Sequence, residues 1–282
     1  MNNDPKIIWL ASYPKSGNTW FRAFLHALFN DGQVDVSNLA VKQLFSSKSI
    51  VEHEMDTSID DLTASEMEWM KQKSWQNLSD TAEQPFFVKI HDAFTYSKWN
   101  MEPVIPITAT KMALYLVRNP LDVAVSFSNH QGIPSKQIVK KFLNNPEAAL
   151  IKKNKSDHQF RQPLQTWSQH VNGWLNQTYF PVHCVRYEDL LSHPVETFSK
   201  ALKAMGFTWE RAALDQAIAA SSFENLKKQE RDVGFPEKAI ADSSFFFRGE
   251  TERGIRELPQ SLINEIYSIH SNTMERLGYS TA

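Results

Sequence analysis

The stretch YPKSGNTW, residues 13–20, sets Lys15, Ser16, Gly17, Asn18 and Thr19 directly after the apolar run IIWLAS. One ammonium, one glycine and three hydroxyl or amide side chains at the start of a helix-period pattern are the ingredients of an anion site. Free N–H groups and the helix dipole converge at such a point. Gly17 lets the backbone close around an oxyanion, and Lys15 supplies charge. The pattern is not a Walker A loop, which carries its lysine after the second glycine and a hydroxyl next to it for magnesium. A plain helix start capped by Ser16 or Asn18, with Lys15 in solvent, accounts for the same residues.

Two more groups have chemical potential. Lys89 and His91 end the run FFVKIH, and their K-x-H spacing places both side chains on one face of a strand. A histidine there suits a proton acceptor working near neutrality, although a lone histidine after a strand is more often structural. Arg118 ends KMALYLVR just before PLDVAVSFSNH, where a proline near the first position marks a helix start. Ligands of open parallel sheets bind at that edge of the sheet. An ion pair with Asp122 is the plainer use of Arg118, and Ser126 is by itself an ordinary helix serine.

The elements that must position these residues are short apolar runs, each followed by a polar turn and a helix-period stretch. KIIWLASY precedes NTWFRAFLHALF, FFVKIH stands alone, KMALYLVR precedes PLDVAVSFSNH, and VHCVRYED precedes HPVETFSKALKAMG. Continuous apolar strands alternating with helices predict an α/β fold whose parallel sheet is covered on both faces. Residues 31–85 and 131–166 break the rhythm and are expected to be lid or binding excursions. Residues 225–250 are expected to be irregular, ahead of a closing amphipathic helix.

The 282 residues carry a net charge of −2, so no global basic field draws the chain to nucleic acid or anionic lipid. A lone cysteine, Cys184, in apolar surroundings reads as a buried strand position. The N-terminus lacks the pattern of a signal peptide and no run of about 18 apolar residues occurs, so a cytoplasmic chain without a membrane span is expected. No metal-ligand spacing is present, and no metal is expected.

The motifs resemble, in order, those of sulfotransferases that use 3'-phosphoadenosine 5'-phosphosulfate (PAPS). YPKSGNTW resembles their 5'-phosphosulfate loop. YLVRNPLDVAVSFSNH is similar to their 3'-phosphate motif, with Arg118 and Ser126 eight apart. FFVKIHDAF resembles the strand that carries their catalytic histidine, here His91, with Lys89 two before it. VRYEDL and SSFENLKK match their adenine-side segments, and the likeness runs from residue 8 to about residue 256. The closing loop departs. It reads R-K-G with another glycine three residues later in the family, whereas here Arg248 adjoins Gly249 directly and Gly254 lies five beyond it.

The resemblance implies a single domain, 1–282, with a three-layer fold like that of P-loop kinases: a central parallel sheet flanked by helices. It implies PAPS as sulfuryl donor, bound by Lys15, Ser16, Gly17, Asn18 and Thr19 at the phosphosulfate and by Arg118, Ser126, Arg248 and Gly249 at the 3'-phosphate. Arg253 with Gly254 is the alternative in a shifted alignment. Trp20 and Phe223 would stack on adenine, Tyr187 and Ser221 would bond it, and each aromatic could instead be core. Lys15, Lys89 and His91 would be catalytic, with His91 as general base toward an acceptor hydroxyl or amine. Trp69, Trp75, Phe94, Tyr96 and Trp99 suggest a small apolar or aromatic acceptor. The rival readings are a catalytically silent nucleotide-binding protein and an ATP-dependent phosphotransferase of the same fold.

Overall fold

A computed structural model describes residues 4–39, 41, 44–59, 61–151, 159–238, 245–246 and 249–280. Four strands, β1 (Ile7–Ser12), β2 (Phe86–Ile90), β3 (Thr110–Val117) and β4 (Val182–Arg186), pair in parallel in the order β2-β1-β3-β4. Their near-continuous apolar sequence follows from burial on both faces. Ile7, Trp9 and Ala11 face one core with Tyr115 and Trp174, while Ile8 and Leu10 face another with Phe24 and Phe198.

The helices that frame the sheet and the site are α1 (Asn18–Phe29), α2 (Ala64–Thr81), α3 (Pro120–Gln131), α4 (Trp167–Asn176), α5 (Tyr187–Ser192), α6 (Pro194–Ala204), α7 (Arg211–Ala220), α8 (Phe223–Val233), α9 (Arg253–Glu257) and α10 (Gln260–Arg276); shorter helices, Lys48–Met55 and Ser135–Ile138, lie in the two excursions. Residues of α2, α3, α4 and α10 pack on the first face, and residues of α1, α6 and α7 on the second. The expected three-layer α/β architecture is therefore present. On the second face Phe24 and Phe198 stack at 3.8 Å between ring centroids, and truncating either ring would cost about 3–5 kcal/mol.

The chain goes from β1 out to β2 and then back across β1 to β3. That reversal makes the C-terminal end of β1 a topological switch point, where ligands of such sheets are held. The turn carrying Lys15 follows β1, His91 follows β2, and Arg118 follows β3.

Two expectations are corrected. Residues 225–233 are not irregular: they belong to α8, which Ser222 caps by accepting from Asn225 N and whose Leu226 is fully buried. Trp75 is core, packed edge-on to Trp9 at 6.0 Å with its Nε1 donating to the Phe45 carbonyl, because α2 turns that side of the excursion inward. Trp69 and Trp99, by contrast, are more than half exposed. Arg248 lies outside the described residues. No helix among those described is long and apolar enough to cross a membrane.

Candidate functional site

The turn after β1 is held open by its own side chains. Asn18 does not cap α1; its amide reaches back to donate to the Leu10 carbonyl at 2.9 Å and to Ser12 Oγ at 3.2 Å. Gly17 takes the N-cap position at φ 98 with no side-chain cap. The Ser16 hydroxyl is buried without a protein partner. The expected alternative, a capped helix start, is therefore not what forms. Instead an N-terminus without a side-chain cap adjoins an orphaned buried hydroxyl, the ingredients of an anion cradle. A Cβ on Gly17 would lie 2.7 Å from Tyr187 Cδ2, so glycine is needed for the approach of that ring as well as for the turn.

Lys15, itself at φ 70, carries its ammonium 3.8 Å above the centre of the Phe245 ring. Burial, followed by the charges of Arg118 and Lys89, pushes its pKa down from 10.5 to about 7. A cation this destabilised in the ligand-free protein has much to gain from an incoming anion.

Arg118 is buried and lies over the Tyr187 ring at 4.2 Å. It donates to the Glu250 carbonyl at 2.7 Å and to the Lys15 carbonyl at 3.4 Å, while its Nε is buried without a partner. The ion pair with Asp122 exists at 3.9 Å. Asp122 is mainly engaged elsewhere, however, accepting from Glu252 N at 2.9 Å and Gly254 N at 2.8 Å. Arg118 thus keeps donor capacity, and it ties the first motif to the third through Tyr187. Ser126 sits half-buried on α3 beyond it.

The closing loop meets the same cluster at Gly249. Its φ is 60, and a Cβ there would come within 2.6 Å of the Phe223 ring. Arg253 is held by Glu257 at 2.8 and 3.0 Å, and Gly254 is pressed on Leu121. The shifted alignment thus puts its arginine in an ion pair. Trp20 donates from Nε1 to the Ser221 carbonyl and packs edge-on against Tyr187 and Phe198. Ser221 is buried and its hydroxyl donates to Ala217 O at 2.8 Å. That hydroxyl is turned into its own helix rather than toward the cluster.

His91 is oriented by main chain on both sides. Its Nδ1 lies 2.8 Å from the Ser12 carbonyl, which can only accept, so Nδ1 carries the proton and Nε2 keeps the lone pair. A buried relay fixes its backbone: the Tyr115 hydroxyl donates to His170 Nδ1 at 2.8 Å, and His170 Nε2 donates to the His91 carbonyl at 3.0 Å. Burial, then the charge of Lys89, lowers the His91 pKa to about 3 in the ligand-free protein, so the imidazole is neutral. Lys89 is held by the Glu237 carboxylate at 2.9 Å.

Sequence reasoning missed several residues here. His130 shares the α3 face of Ser126 one turn on, packs edge-on to Phe245 at 5.5 Å, and is pushed down to about 3 by burial and by Lys15 and Lys89. The i,i+4 spacing from Ser126 pointed to it. Arg22 showed only as a charge inside the apolar face of α1, and Glu237 and Phe245 had no local pattern to betray them. Among the described residues no group of three or more potential ligands could hold a metal.

The sulfotransferase domain family model matches residues 5–278. This chain belongs to that family. It is 25% identical over 236 residues to mouse sulfotransferase 1B1, covering 79% of this chain and 66% of the relative. It is 25% identical over 235 residues to human sulfotransferase 1E1, covering 79% and 67%. Solved structures share the fold: mouse sulfotransferase SULT7A1 complexed with PAP (TM-score 0.58, 18% identity, 97% of this chain and 84% of that one), and retinol dehydratase in complex with androsterone and PAP (TM-score 0.57, 16% identity, 95% and 80%).

Proposed function

We propose that this sulfotransferase-family chain moves a sulfuryl group from PAPS to a hydroxyl or amine of a small acceptor, releasing adenosine 3',5'-bisphosphate (PAP). The observation that carries this reading is the convergence of Lys15, Arg118 and Lys89 on an uncapped helix start beside a histidine whose lone pair is free. The mouse structure named above holds PAP. The donor set here suits that ligand: an orphaned Ser16 hydroxyl, an orphaned Arg118 Nε, and glycines at two close approaches.

Lys15 and the N–H groups of residues 16–19 hold the phosphosulfate, and Arg118 with Ser126 and the Gly249 loop holds the 3'-phosphate. Trp20, Tyr187 and Phe223 border the adenine. His91 Nε2 takes the acceptor proton as the acceptor oxygen bonds to sulfur and the bond from sulfur to the phosphate oxygen breaks. Lys15 stabilises the charge that builds on that leaving oxygen, an electrostatic contribution on the order of 10²- to 10³-fold in rate. The anionic donor raises the proton affinity of the neutral imidazole, which burial and Lys89 otherwise hold low.

An apolar or aromatic acceptor is part of the same proposal, supported by Phe94, three residues past His91, whose ring packs against Tyr96, Trp174, Tyr179 and Phe180. A cytoplasmic location belongs with the same proposal.

The test is to incubate the protein with sulfur-labelled PAPS and a panel of phenols, alkyl alcohols, amines and charged polysaccharides. Label transfer with matching PAP release is expected. Turnover of magnesium-ATP without turnover of PAPS would reassign the site to phosphoryl transfer, and transfer to polysaccharides alone would remove the apolar acceptor.

A further inference from the structure

The Glu237 carboxylate is in direct contact with Lys89, and neither the motifs nor the proposed reaction uses it. It bridges two cations: Arg22 Nη1 at 2.6 Å and Lys89 Nζ at 2.9 Å. The two bonds are not equivalent. Arg22 is 5% exposed, and its Nε and Nη2 are both spent on the Val41 carbonyl at 3.2 and 2.9 Å. Its planar fork therefore presents Nη1 to Glu237 in a fixed direction. Lys89 offers a point charge on a four-carbon stem, with a single bond to this carboxylate at 2.9 Å and no fork that fixes its direction. Arg22 is the partner that stays and Lys89 the partner that can leave.

The arrangement also resolves a charge problem. Lys89 is the strand lysine suited to reach the transferring group, and its ammonium pairs with a carboxylate of this chain's own at 2.9 Å. An incoming sulfuryl is anionic, so it cannot share Lys89 with Glu237 without like-charge repulsion. It must take Lys89 from the carboxylate.

We propose that Glu237 is a selectivity residue for the sulfuryl end of the donor: its carboxylate holds the place on Lys89 that the sulfuryl takes, and Arg22 keeps it when it yields. PAP, which has no sulfuryl, binds without disturbing this contact. Glu237 thereby handicaps the loaded donor relative to the product and returns to Lys89 once the sulfuryl has gone, keeping the lysine neutralised between turnovers. The inference rests on the PAPS reading of the site.

Calorimetric titration of wild-type protein and Glu237→Gln with PAP and with PAPS, without acceptor, tests it. The near-isosteric amide removes the competing charge and keeps the shape of the segment. The expected result is about tenfold tighter binding of PAPS, equal to about 1.4 kcal/mol, with PAP affinity changed less than about threefold. Equal tightening of both ligands would show a diffuse charge effect and overturn the proposal. Weaker PAPS binding would overturn it too, since Glu237 would then be orienting Lys89 for the sulfuryl. Failure of wild-type protein to bind either ligand would instead refute the donor site itself, and the inference with it.

Discussion

Lys15 offers the sharpest quantitative handle on the site. Its pKa in the ligand-free protein is about 7, lowered from 10.5 by burial and then by Arg118 and Lys89. At pH 8 about one molecule in ten carries the ammonium, and protonating the rest costs about 1.4 kcal/mol, rising to about 2.7 kcal/mol at pH 9. In the proposed complex the 5'-phosphate of PAP brings negative charge to that ammonium and should restore its ordinary proton affinity, so binding at pH 8 is expected to draw about 0.9 proton from the buffer. Calorimetry of PAP binding in buffers of different ionisation enthalpy reads this number directly. Affinity should also fall about tenfold per pH unit between pH 8 and 9.5.

The same shift has a stability sign. Between pH 7 and 10.5 the unfolded chain binds the Lys15 proton and the folded one does not, so this group's penalty on the ligand-free protein fades as pH rises through that window. Lys15→Met should abolish both the proton uptake and this component of the stability profile. A proton count near zero at pH 8 in the wild type, or an unchanged count in Lys15→Met, would refute the placement of Lys15 at the bound anion.

Three further outcomes are expected. Arg118→Ala should weaken PAP binding by about 1.5–3 kcal/mol, the range for a bond to a charged group, measured by the same titration. His91→Ala should lower kcat by about 10²- to 10⁴-fold while leaving the PAP dissociation constant within about threefold, because its ring is bonded to Ser12 and not to the phosphate cradle; rapid-quench turnover against calorimetry separates the two. Gly17→Ala forces a Cβ at φ 98 against the Tyr187 ring and should cost about 1–2 kcal/mol in denaturant unfolding, with a loss of PAP affinity beyond that of a surface alanine.

Where structure is made by local periodicity, the sequence was readable. NTWFRAFLHALF coincides with α1, and PLDVAVSFSNH falls within α3 with its proline at the first position, because burial on both sheet faces leaves strands apolar and helices amphipathic. Segment 225–233 was missed for the opposite reason. NLKKQERDV carries only two apolar residues, Leu226 and Val233, and α8 is fixed by Leu226 and by the buried Glu230, whose carboxylate accepts from Phe245 N and Phe246 N and pairs with Lys238 at 3.0 Å. Such contacts join residues far apart and leave no spacing to read. Arg22 did leave a trace, a charge inside an otherwise buried helix face, but its partner Glu237 sits in a polar stretch with no pattern of its own. Trp75 shows the converse limit, since composition cannot tell an aromatic that lines a pocket from one that fills a core.

The division between legible and illegible parts has a chemical consequence. The reactive atoms are aimed by backbone: the Ser12 carbonyl at the end of β1 chooses the His91 tautomer, and the next residues of the same chain form the turn that holds Lys15. In the proposed reaction the base, carried at the end of β2, and the leaving-group cation, carried in the turn after β1, are thus both referred to the end of β1, which is paired with β2 and β3 on either side. A displacement of that terminus moves the proton acceptor and the charge stabiliser together. Their mutual alignment survives small strains that would separate groups carried on independent loops. Glu237 with Arg22, and His130 with Phe245, come to this cluster from segments outside the sheet. Under the proposed reading, substitutions there should alter ligand preference and pH response before they alter the placement of His91 on the Ser12 carbonyl.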